Sequence, residues 1–456
     1  SEMCIRDRGD INRVIFTIAA PLMINNLIRT LYTLTDGLFV ARLSELDFAA
    51  TSFVWPLNYV FISLGLGLGV GATSLIAQLL GAERESRAED YVTNGILMSI
   101  VLGFVLSAIG FFASDFMVRL MGAEGELLTK SVAYLRISFI GLFFDFVFFS
   151  FQAVLTSQGM TRSITFISLV SSVTNIVLDP FLIFDRTPIF GLRGLGWGIE
   201  GAAWATVVSK LVLFALALYI LAKESRLEVN LSPKRSDFSI MKHIMKISLP
   251  SALGNGGSAL GFTMLNSLIS SYGTTTLAAY SMVNRITDLF TQPANGIGAA
   301  LTSIIGQNMG AEKYDRTKAI FRRALLIISI FSLIGLIVII AFRNPLLSLF
   351  IKDMTNTELV SEASEYLIFS AFIIFFMGYY SSLTGFFQGT GHTSYSMYMS
   401  AGRLWVLRLP IIWVFSRFTN LGSTGVWIAM LLSNMLTCLY GFVVYKTKEW
   451  KKISNI

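Results

Sequence analysis

The chain consists mainly of long apolar runs separated by short polar segments. Twelve of these runs are long enough to cross about 30 Å of hydrocarbon at 1.5 Å per residue, so we predict twelve transmembrane helices. Their extents are 12–41, 49–80, 91–113, 132–157, 164–185, 199–222, 244–271, 276–308, 319–342, 362–387, 394–417 and 425–446. The natural kink points within them are Pro21, Pro56, Pro250, Pro293 and Pro410.

Composition points the same way. Of the 456 residues, 54% are hydrophobic and only 14% are charged, and the mean hydropathy is +0.67. Soluble globular proteins average about 25% charged residues and could not hide this much apolar surface from water. We therefore predict an all-α polytopic membrane protein. The two cysteines and two histidines are too scattered for a metal or disulfide pattern, and the short polar start is not expected to be a signal peptide.

The net charge of +7 is distributed unevenly along the chain. With twelve spans, both termini lie on one side, and that side carries 21 Lys and Arg against 8 on the other. The positive-inside rule therefore predicts cytoplasmic termini. The basic excess is a topology signal, and no nucleic-acid partner is expected.

The two halves of the chain repeat each other. A shift of 229 residues places the second span on the eighth with 15 identities over 39 ungapped positions, where chance would give roughly 3 or 4. We predict an N-terminal six-helix lobe (1–222), a cytoplasmic linker (223–243) and a C-terminal six-helix lobe (244–456). Six spans per half give equivalent helices the same orientation, so the repeat is parallel, an architecture typical of secondary transporters.

Several polar residues lie inside predicted spans. An acid at mid-bilayer costs roughly 3 kcal/mol or more unless it is paired, solvated or protonated. Asp36 is such an acid; the alternative is a helix cap or an interfacial residue. Asp179 shares a helix face with Asn175 four residues earlier, unless it marks a helix end. Thr206 lies in the next span, where it would otherwise bond back to its own helix.

These four residues suit two kinds of ion. Carboxylate, amide and hydroxyl oxygens are ligands for a hard cation such as Na⁺. Two adjacent acids also raise each other's proton affinity, which suits an H⁺ carrier. The second half has Trp405, Leu409 and Met430 near the positions of Asn175, Asp179 and Thr206. A duplicated scaffold with an unduplicated polar set favours a functional role.

A third acid, Asp145, lies in the aromatic stretch "GLFFDFVFFSF" (141–151). A carboxylate among aromatic rings is what an organic cation favours. The alternative is a pairing of Asp145 with Arg29 or Arg136. Arg285 and Asp288 are expected to pair with each other, and Arg403 and Arg408 are candidates for lining the cavity of the C-terminal lobe. The candidates for a substrate cavity are Asp145, Arg29, Phe149, Gln152, Arg285 and Arg403.

Five stretches resemble the multidrug and toxic compound extrusion (MATE) transporters. They are "TDGLFVARL…FAATSF" (35–53), "GLGVGATSLIAQLLGAE" (67–83), "NIVLDPFLIF" (175–184), "GIEGAAWATVVS" (198–209) and "GIGAALTSIIGQNMGAE" (296–312). The resemblance runs from about residue 10 to 446 and is to the prokaryotic branch with a cation site in the N-terminal lobe. It implies two six-helix lobes forming a V around a central cavity.

The same resemblance implies a function. The activity would be export of organic cations in exchange for H⁺ or Na⁺ by alternating access, without a cofactor. Asp36, Asn175, Asp179 and Thr206 match the family's cation site, and Pro21 matches a bending first helix. We expect a monomer in a bacterial or archaeal cytoplasmic membrane.

The sequence leaves two alternative functions open. A lipid-linked precursor flippase shares the architecture but favours a strongly cationic cavity. An integral membrane enzyme would need a catalytic cluster of His, Cys or paired acids at a membrane face, and the sequence has none. The glycines of the second span, such as Gly67, are followed by no Lys-Ser/Thr, so they favour close helix packing over a nucleotide site. The energy source is then an ion gradient.

Overall fold

The computed structural model describes residues 10–187, 191–229, 235–348 and 356–451. Within these ranges the chain is almost entirely helical, which confirms the predicted all-α class. The basic residues Arg6, Arg8, Lys234, Lys352 and Lys452, which entered the topology count, lie outside the described residues, as does Cys4.

Fourteen α-helices are numbered here in chain order over the described residues. They are α1 (Ile11–Ala41), α2 (Glu45–Gly81), α3 (Glu85–Leu120), α4 (Gly125–Gln158), α5 (Thr161–Ile183), α6 (Gly198–Glu224), α7 (Phe238–Ser270), α8 (Thr274–Gly310), α9 (Tyr314–Ala341), α10 (Arg343–Ser348), α11 (Thr357–Gly389), α12 (Thr393–Gly402), α13 (Leu409–Phe418) and α14 (Ser423–Thr447). A π-helical segment, Arg403–Arg408, joins α12 to α13, and a 3₁₀ turn, Glu449–Lys451, follows α14.

Nine helices of the described residues are long and apolar enough to cross a membrane: α1 to α6, α9, α11 and α14. The other three predicted spans correspond to α7, α8 and the segment from α12 to α13. Most helices extend beyond the predicted spans; α3, for example, covers Glu85–Leu120 rather than 91–113. The predicted spans cover only the apolar residues of each helix. The helices continue into the polar flanking residues because the backbone there still forms hydrogen bonds.

One predicted span is wrong in detail. The run 394–417 was expected to be a single helix, but it changes to a π-helix over Arg403–Arg408 before α13 begins. Pro410 lies in the first turn of α13, where its missing N–H is tolerated. The interruption places two buried arginines at the ends of the π-helical segment.

The chain divides into two compact units. One unit comprises Leu27–Ala252, and the other comprises Leu253–Ile456 together with the chain up to Asn26. The helices α1 and α7 therefore each contribute to both units. The lobe boundaries drawn from the repeat, 1–222 and 244–456, stay a prediction.

The sequence repeat has a structural counterpart at the ends of α2 and α8. Glu83 and Glu312, 229 residues apart, both take a left-handed backbone conformation, with φ of 58° and 56°. The residues before them, Ala82 and Ala311, each donate to the carbonyl four residues earlier, at 2.9 and 3.0 Å. Equivalent helices therefore end in the same way.

Glycines allow equivalent helices to approach closely, as predicted for the second span. A Cβ atom at Gly67 of α2 would lie 2.5 Å from the Cβ of Ala252 in α7. At Gly296 of α8, it would lie 2.6 Å from Cγ of Met23 in α1. Gly67 and Gly296 are 229 residues apart, and so are Met23 and Ala252. The same contact thus occurs once in each unit.

The outer face of α3 is apolar. Phe104, Phe112 and Phe116 are 67%, 81% and 67% exposed. Monomeric soluble proteins rarely expose so many large apolar side chains together, whereas a bilayer would cover them.

Candidate functional site

Asp36 lies inside α1, five residues before the helix ends at Ala41. Its side chain is half-buried, and its Oδ1 atom is buried without a hydrogen-bond partner among the described residues. A capping carboxylate lies at the start of a helix and accepts hydrogen bonds from its free N–H groups. Asp36 lies near the end of α1, and its Oδ1 atom accepts no hydrogen bond from a described residue, so it is not a cap.

Asp179 and Asn175 lie one helical turn apart on α5, and both are fully buried. Asp179 is four residues from the end of α5, and Pro180 continues the helix, so Asp179 does not mark the helix end. Like that of Asp36, its Oδ1 atom has no hydrogen-bond partner among the residues described. A fully buried carboxylate with an unused oxygen is costly unless something else occupies that oxygen.

The Asn175 amide can face Asp179 with either end. With the nitrogen towards Asp179, it donates to Oδ2 at 2.9 Å, and the amide oxygen accepts from the backbone N–H of Thr206 at 3.2 Å. With the oxygen towards Asp179, the nitrogen donates instead to Thr206 Oγ1 at 3.4 Å. The first orientation suits an ionised carboxylate, and the second suits a protonated carboxyl or a bound cation, because an amide oxygen and a bare carboxylate repel each other.

Thr206 connects α6 to this site. Its hydroxyl lies 3.5 Å from the hydroxyl of Tyr32, which is one turn before Asp36 on α1. The carboxylates of Asp36 and Asp179 are within electrostatic reach of each other. All four residues predicted for the cation site are thus brought together by α1, α5 and α6, within the unit Leu27–Ala252.

Two tyrosines, Tyr32 and Tyr134, also belong to the site and are not among the residues predicted from the sequence. Tyr32 contacts Thr206, and Tyr134 of α4 is within electrostatic reach of both Asp36 and Asp179. The spacing of Tyr32 and Asp36, four residues apart on one helix, was the available signal for the first. Tyr134 carried no such signal, since its place depends on how α4 packs.

Asp145 forms an ion pair that was not predicted. Lys210 Nζ of α6 lies 2.6 Å from Asp145 Oδ2 of α4, and the side chains are only 18% and 12% exposed. The alternative reading, in which Asp145 pairs with Arg29 or Arg136, is therefore wrong. Gly141, one turn before Asp145, makes room for the lysine, because a Cβ there would lie 3.1 Å from Lys210 Cδ.

The other substrate-cavity candidates of this unit lie in different surroundings. Phe149 is only 5% exposed, and its ring lies against Gly65 of α2. Gln152 is half-buried, and Arg29 is exposed. Their substrate role stays a prediction.

The candidates of the other unit also differ from expectation. Arg285 and Asp288 are both exposed and, within the described part of the chain, form no ion pair, so their predicted pairing is wrong. One turn of α8 separates them, but opposite charges at this spacing need not meet when both side chains can turn away. Arg403 and Arg408 are buried, at 5% and 2% exposure.

The described residues contain no cluster of side chains typical of a transition-metal site. No group of three or more His, Cys, Asp and Glu side chains that could hold a metal ion occurs among the described residues. The two carboxylates, the amide and the hydroxyl of the four predicted residues instead provide oxygen atoms, which is the ligand type that hard cations prefer.

The MatE family model matches residues 21–181 and 250–414. The chain belongs to the MATE family. The two matches begin 229 residues apart, the same shift that aligns the repeat, so each half of the chain carries one copy of the family's domain.

Several named proteins resemble the chain over 77% or more of its length. "Probable multidrug resistance protein YoeA" of Bacillus subtilis is 28% identical over 439 residues, which cover 95% of this chain and 92% of that protein. The "FAD transporter" of Shewanella oneidensis is 27% identical over 77% of each chain. The crystal structure of a MATE in complex with MaL6 superposes with a TM-score of 0.91 at 27% identity, covering 98% of both chains.

Membership of the MATE family confirms some of the predictions and shows that one alternative is wrong. The chain is a membrane transporter of the twelve-helix, two-lobe fold, as predicted. The enzyme alternative is wrong, since MATE proteins are transporters. MATE transporters carry small organic substrates across the cell membrane and need no cofactor.

Proposed function

We propose that this MATE transporter exports organic cations, or related metabolites, in exchange for H⁺ or Na⁺ by alternating access. One observation carries the proposal: Asp36 and Asp179 are neighbouring carboxylates in membrane helices, and each has a buried oxygen without a partner among the described residues. The relatives named as multidrug resistance proteins support the export of drugs.

The chemistry of exchange follows from this pair of acids. Two neighbouring carboxylates in a low-dielectric site repel each other, and a proton or a cation between them relieves that repulsion. An empty site is therefore unfavourable, so one cation leaves most easily when another arrives. Competition between the coupling ion and a cationic substrate for Asp36 and Asp179 would couple import to export.

The Asn175 amide provides a two-state element in this scheme. Its nitrogen faces Asp179 when the carboxylate is ionised, and its oxygen faces Asp179 when a proton or Na⁺ is bound. Each orientation has a different partner on Thr206, the backbone N–H or the hydroxyl. Binding of the ion at α5 would thereby change the hydrogen bond between Asn175 and Thr206 of α6.

Pro21 is the proposed bending point of α1. The helix continues through Pro21, which cannot donate to the carbonyl four residues earlier. Five residues after Pro21, at Asn26, α1 passes from one compact unit to the other. A bend here would move Asp36 relative to α5 and thereby open or close the cation site.

The remaining features of the proposal concern substrate and setting. Because Lys210 already neutralises Asp145, we place the substrate's cationic group at Asp36 and Asp179 rather than at Asp145. Arg29, Phe149, Gln152, Arg285 and Arg403 remain candidates for the cavity wall. We propose a monomer with both termini in the cytoplasm, from the excess of Lys and Arg on that side.

A phosphate-bearing substrate is the second candidate, and it is the chemistry that the flippase alternative shares. A relative is named an FAD transporter, and FAD carries two phosphates. Two buried arginines, Arg403 and Arg408, supply positive charge in the unit that contains α11 and α14.

Proteoliposomes with separately imposed gradients test the first candidate. Purified protein is reconstituted with a fluorescent organic cation, and efflux is followed under a pH gradient alone and a Na⁺ gradient alone. We expect one of the two gradients to drive efflux and the movement of substrate to drive the matching ion backwards. Equal efflux with no gradient would reject the antiport scheme.

A further inference from the structure

The π-helical segment Arg403–Arg408 carries two buried arginines. Their side chains are only 5% and 2% exposed. Among the described residues, neither guanidinium lies within ion-pair distance of a carboxylate. Arginine stays charged in proteins, so two positive charges are buried here without a counter-charge.

Arg403 is held by neutral groups only. Its Nη1 atom donates to Asn434 Oδ1 at 3.1 Å and lies 2.7 Å from the sulfur of Met377. Its guanidinium lies over the Tyr380 ring at 4.4 Å and near the Phe262 ring at 5.9 Å. Its Nε atom is buried without a hydrogen-bond partner in the described part of the chain.

Arg408 is similarly under-satisfied. Its Nε atom donates to Ser433 Oγ at 3.0 Å, and its guanidinium lies 6.0 Å from the centre of the Phe262 ring. A guanidinium has five N–H donors in a fixed fork. Its terminal nitrogens form no hydrogen bond with a described residue, so most of the donors of Arg408 are unused.

The π-helical geometry turns both arginines to one side. Residues five apart on an α-helix lie about 140° apart around the axis, whereas an i→i+5 hydrogen-bond pattern brings such residues towards one face. The shared neighbour, the ring of Phe262, shows that both guanidinium groups point to one place. Single π-helical turns are frequent at functional sites.

Asp288 does not neutralise the pair. Asp288 of α8 and Arg408 both act electrostatically on the hydroxyls of Tyr280 and Tyr366, but the Asp288 carboxylate is not within ion-pair distance of either arginine. The aromatic rings of Tyr280 and Tyr366 stack on each other. Among the described residues, neither arginine therefore has a carboxylate partner.

We propose that Arg403 and Arg408 form a binding site for an anionic group, a phosphate or a carboxylate, of a small molecule. Arginine forks match both groups with paired hydrogen bonds. A Cβ atom at Gly402, next to Arg403, would meet no atom within 4 Å, so there is open space beside the start of the segment. This site deepens the second substrate candidate above and does not depend on the coupling ion.

Thermal unfolding of the full chain in an uncharged detergent tests this site without any gradient. Inorganic pyrophosphate is the probe, and the variants are R403M, R408M and R417M, the last an exposed arginine of the same span. We expect pyrophosphate to raise the melting temperature of wild type and R417M. In R403M and R408M, the pyrophosphate concentration that gives the same rise in melting temperature should increase about tenfold or more, because a charged hydrogen bond is lost.

The unliganded variants separate a binding role from a structural one. If the arginines serve a ligand, replacing an uncompensated buried charge by Met should leave the melting temperature unchanged or raise it. If they hold the fold together, both Met variants should melt lower or fail to fold, and R403K and R408K should recover stability. That second pattern, or no response of wild type to pyrophosphate, would overturn the proposal.

A second arm identifies the source of the anionic group. The titration is repeated in nanodiscs of zwitterionic lipid and in nanodiscs containing an anionic phospholipid. Loss of the pyrophosphate response only in anionic lipid assigns the site to a lipid headgroup, whereas an equal response in both assigns it to a soluble organic phosphate or carboxylate. Failure of gradient-driven transport leaves these binding results untouched.

Discussion

Lys210 Nζ lies 2.6 Å from Asp145 Oδ2, joining α6 to α4 inside the unit Leu27–Ala252. Of the three candidate acids in the spans of this unit, Asp36, Asp145 and Asp179, Asp145 is thereby neutralised. Asp36 and Asp179 keep a free carboxylate oxygen each among the described residues. The pairing therefore separates a structural acid from two acids that are available to an ion.

The first prediction concerns this ion pair. Replacing Lys210 by Met leaves the Asp145 carboxylate buried and unpaired, and we expect a loss of about 3 kcal/mol of stability. The double variant D145N/K210M should recover most of it, since both charges are then gone. Thermal unfolding in detergent measures the difference. The exposed pair Asp115–Arg119 is the control, and R119M should have no detectable effect. Equal melting of K210M and wild type would contradict a structural pair.

The second prediction concerns the close contact of α2 and α7. In Gly67→Ala, the new Cβ would lie 2.5 Å from Ala252 Cβ, so the helices must separate, at a cost of about 1–3 kcal/mol. Gly95→Ala on α3 is the matched control, because its nearest atom would lie 3.9 Å away, in ordinary contact. We expect a lower melting temperature for Gly67→Ala alone. Equal tolerance of both would mean that α2 and α7 do not need this approach.

The third prediction concerns pH. Burial, with the charges of Lys246 and Arg87, lowers the pKa of His243, whose Nδ1 lies 2.8 Å from the Tyr91 hydroxyl. The fold therefore favours the neutral ring. This stabilisation is present above the unfolded pKa of about 6.5 and is lost as the pH falls through it towards the lower folded pKa.

The variant H243Q isolates this effect. Between pH 7.5 and 5, the melting temperature of wild type should fall more steeply than that of H243Q, which cannot gain the proton. Differential scanning fluorimetry in detergent across this range makes the comparison. Parallel curves for the two proteins would show that His243 is not the group responsible.

Much of the fold could be predicted from the sequence because each span must satisfy its own backbone within the bilayer. Length and apolarity therefore locate helices without knowledge of their neighbours. The π-helical turn at Arg403–Arg408 was not predictable in this way, since its residues read as part of one continuous apolar run. At its two ends, Arg403 donates to Asn434 and Arg408 donates to Ser433 of α14, and these contacts between helices leave no mark in the apolar pattern.

The candidate cation site was largely predictable because acids stand out in an apolar span. Asp36 and Asp179 needed no partner to be noticed. Lys210 was not predicted as the partner of Asp145. The pairing depends on the rotation of α4 and α6 about their axes, which the sequence does not reveal. That rotation is set by close contacts such as the one at Gly141, which sequence spacing does not encode.

The most direct test of the coupling site is gradient-driven efflux from proteoliposomes that contain Asp36→Asn, with the exposed Asp115→Asn as the matched control. Asn keeps the size of the side chain but cannot hold a proton or balance a cation. We predict that Asp36→Asn loses at least about nine-tenths of efflux driven by the coupling-ion gradient, while Asp115→Asn transports like wild type. Full efflux by a folded Asp36→Asn protein would contradict the central claim.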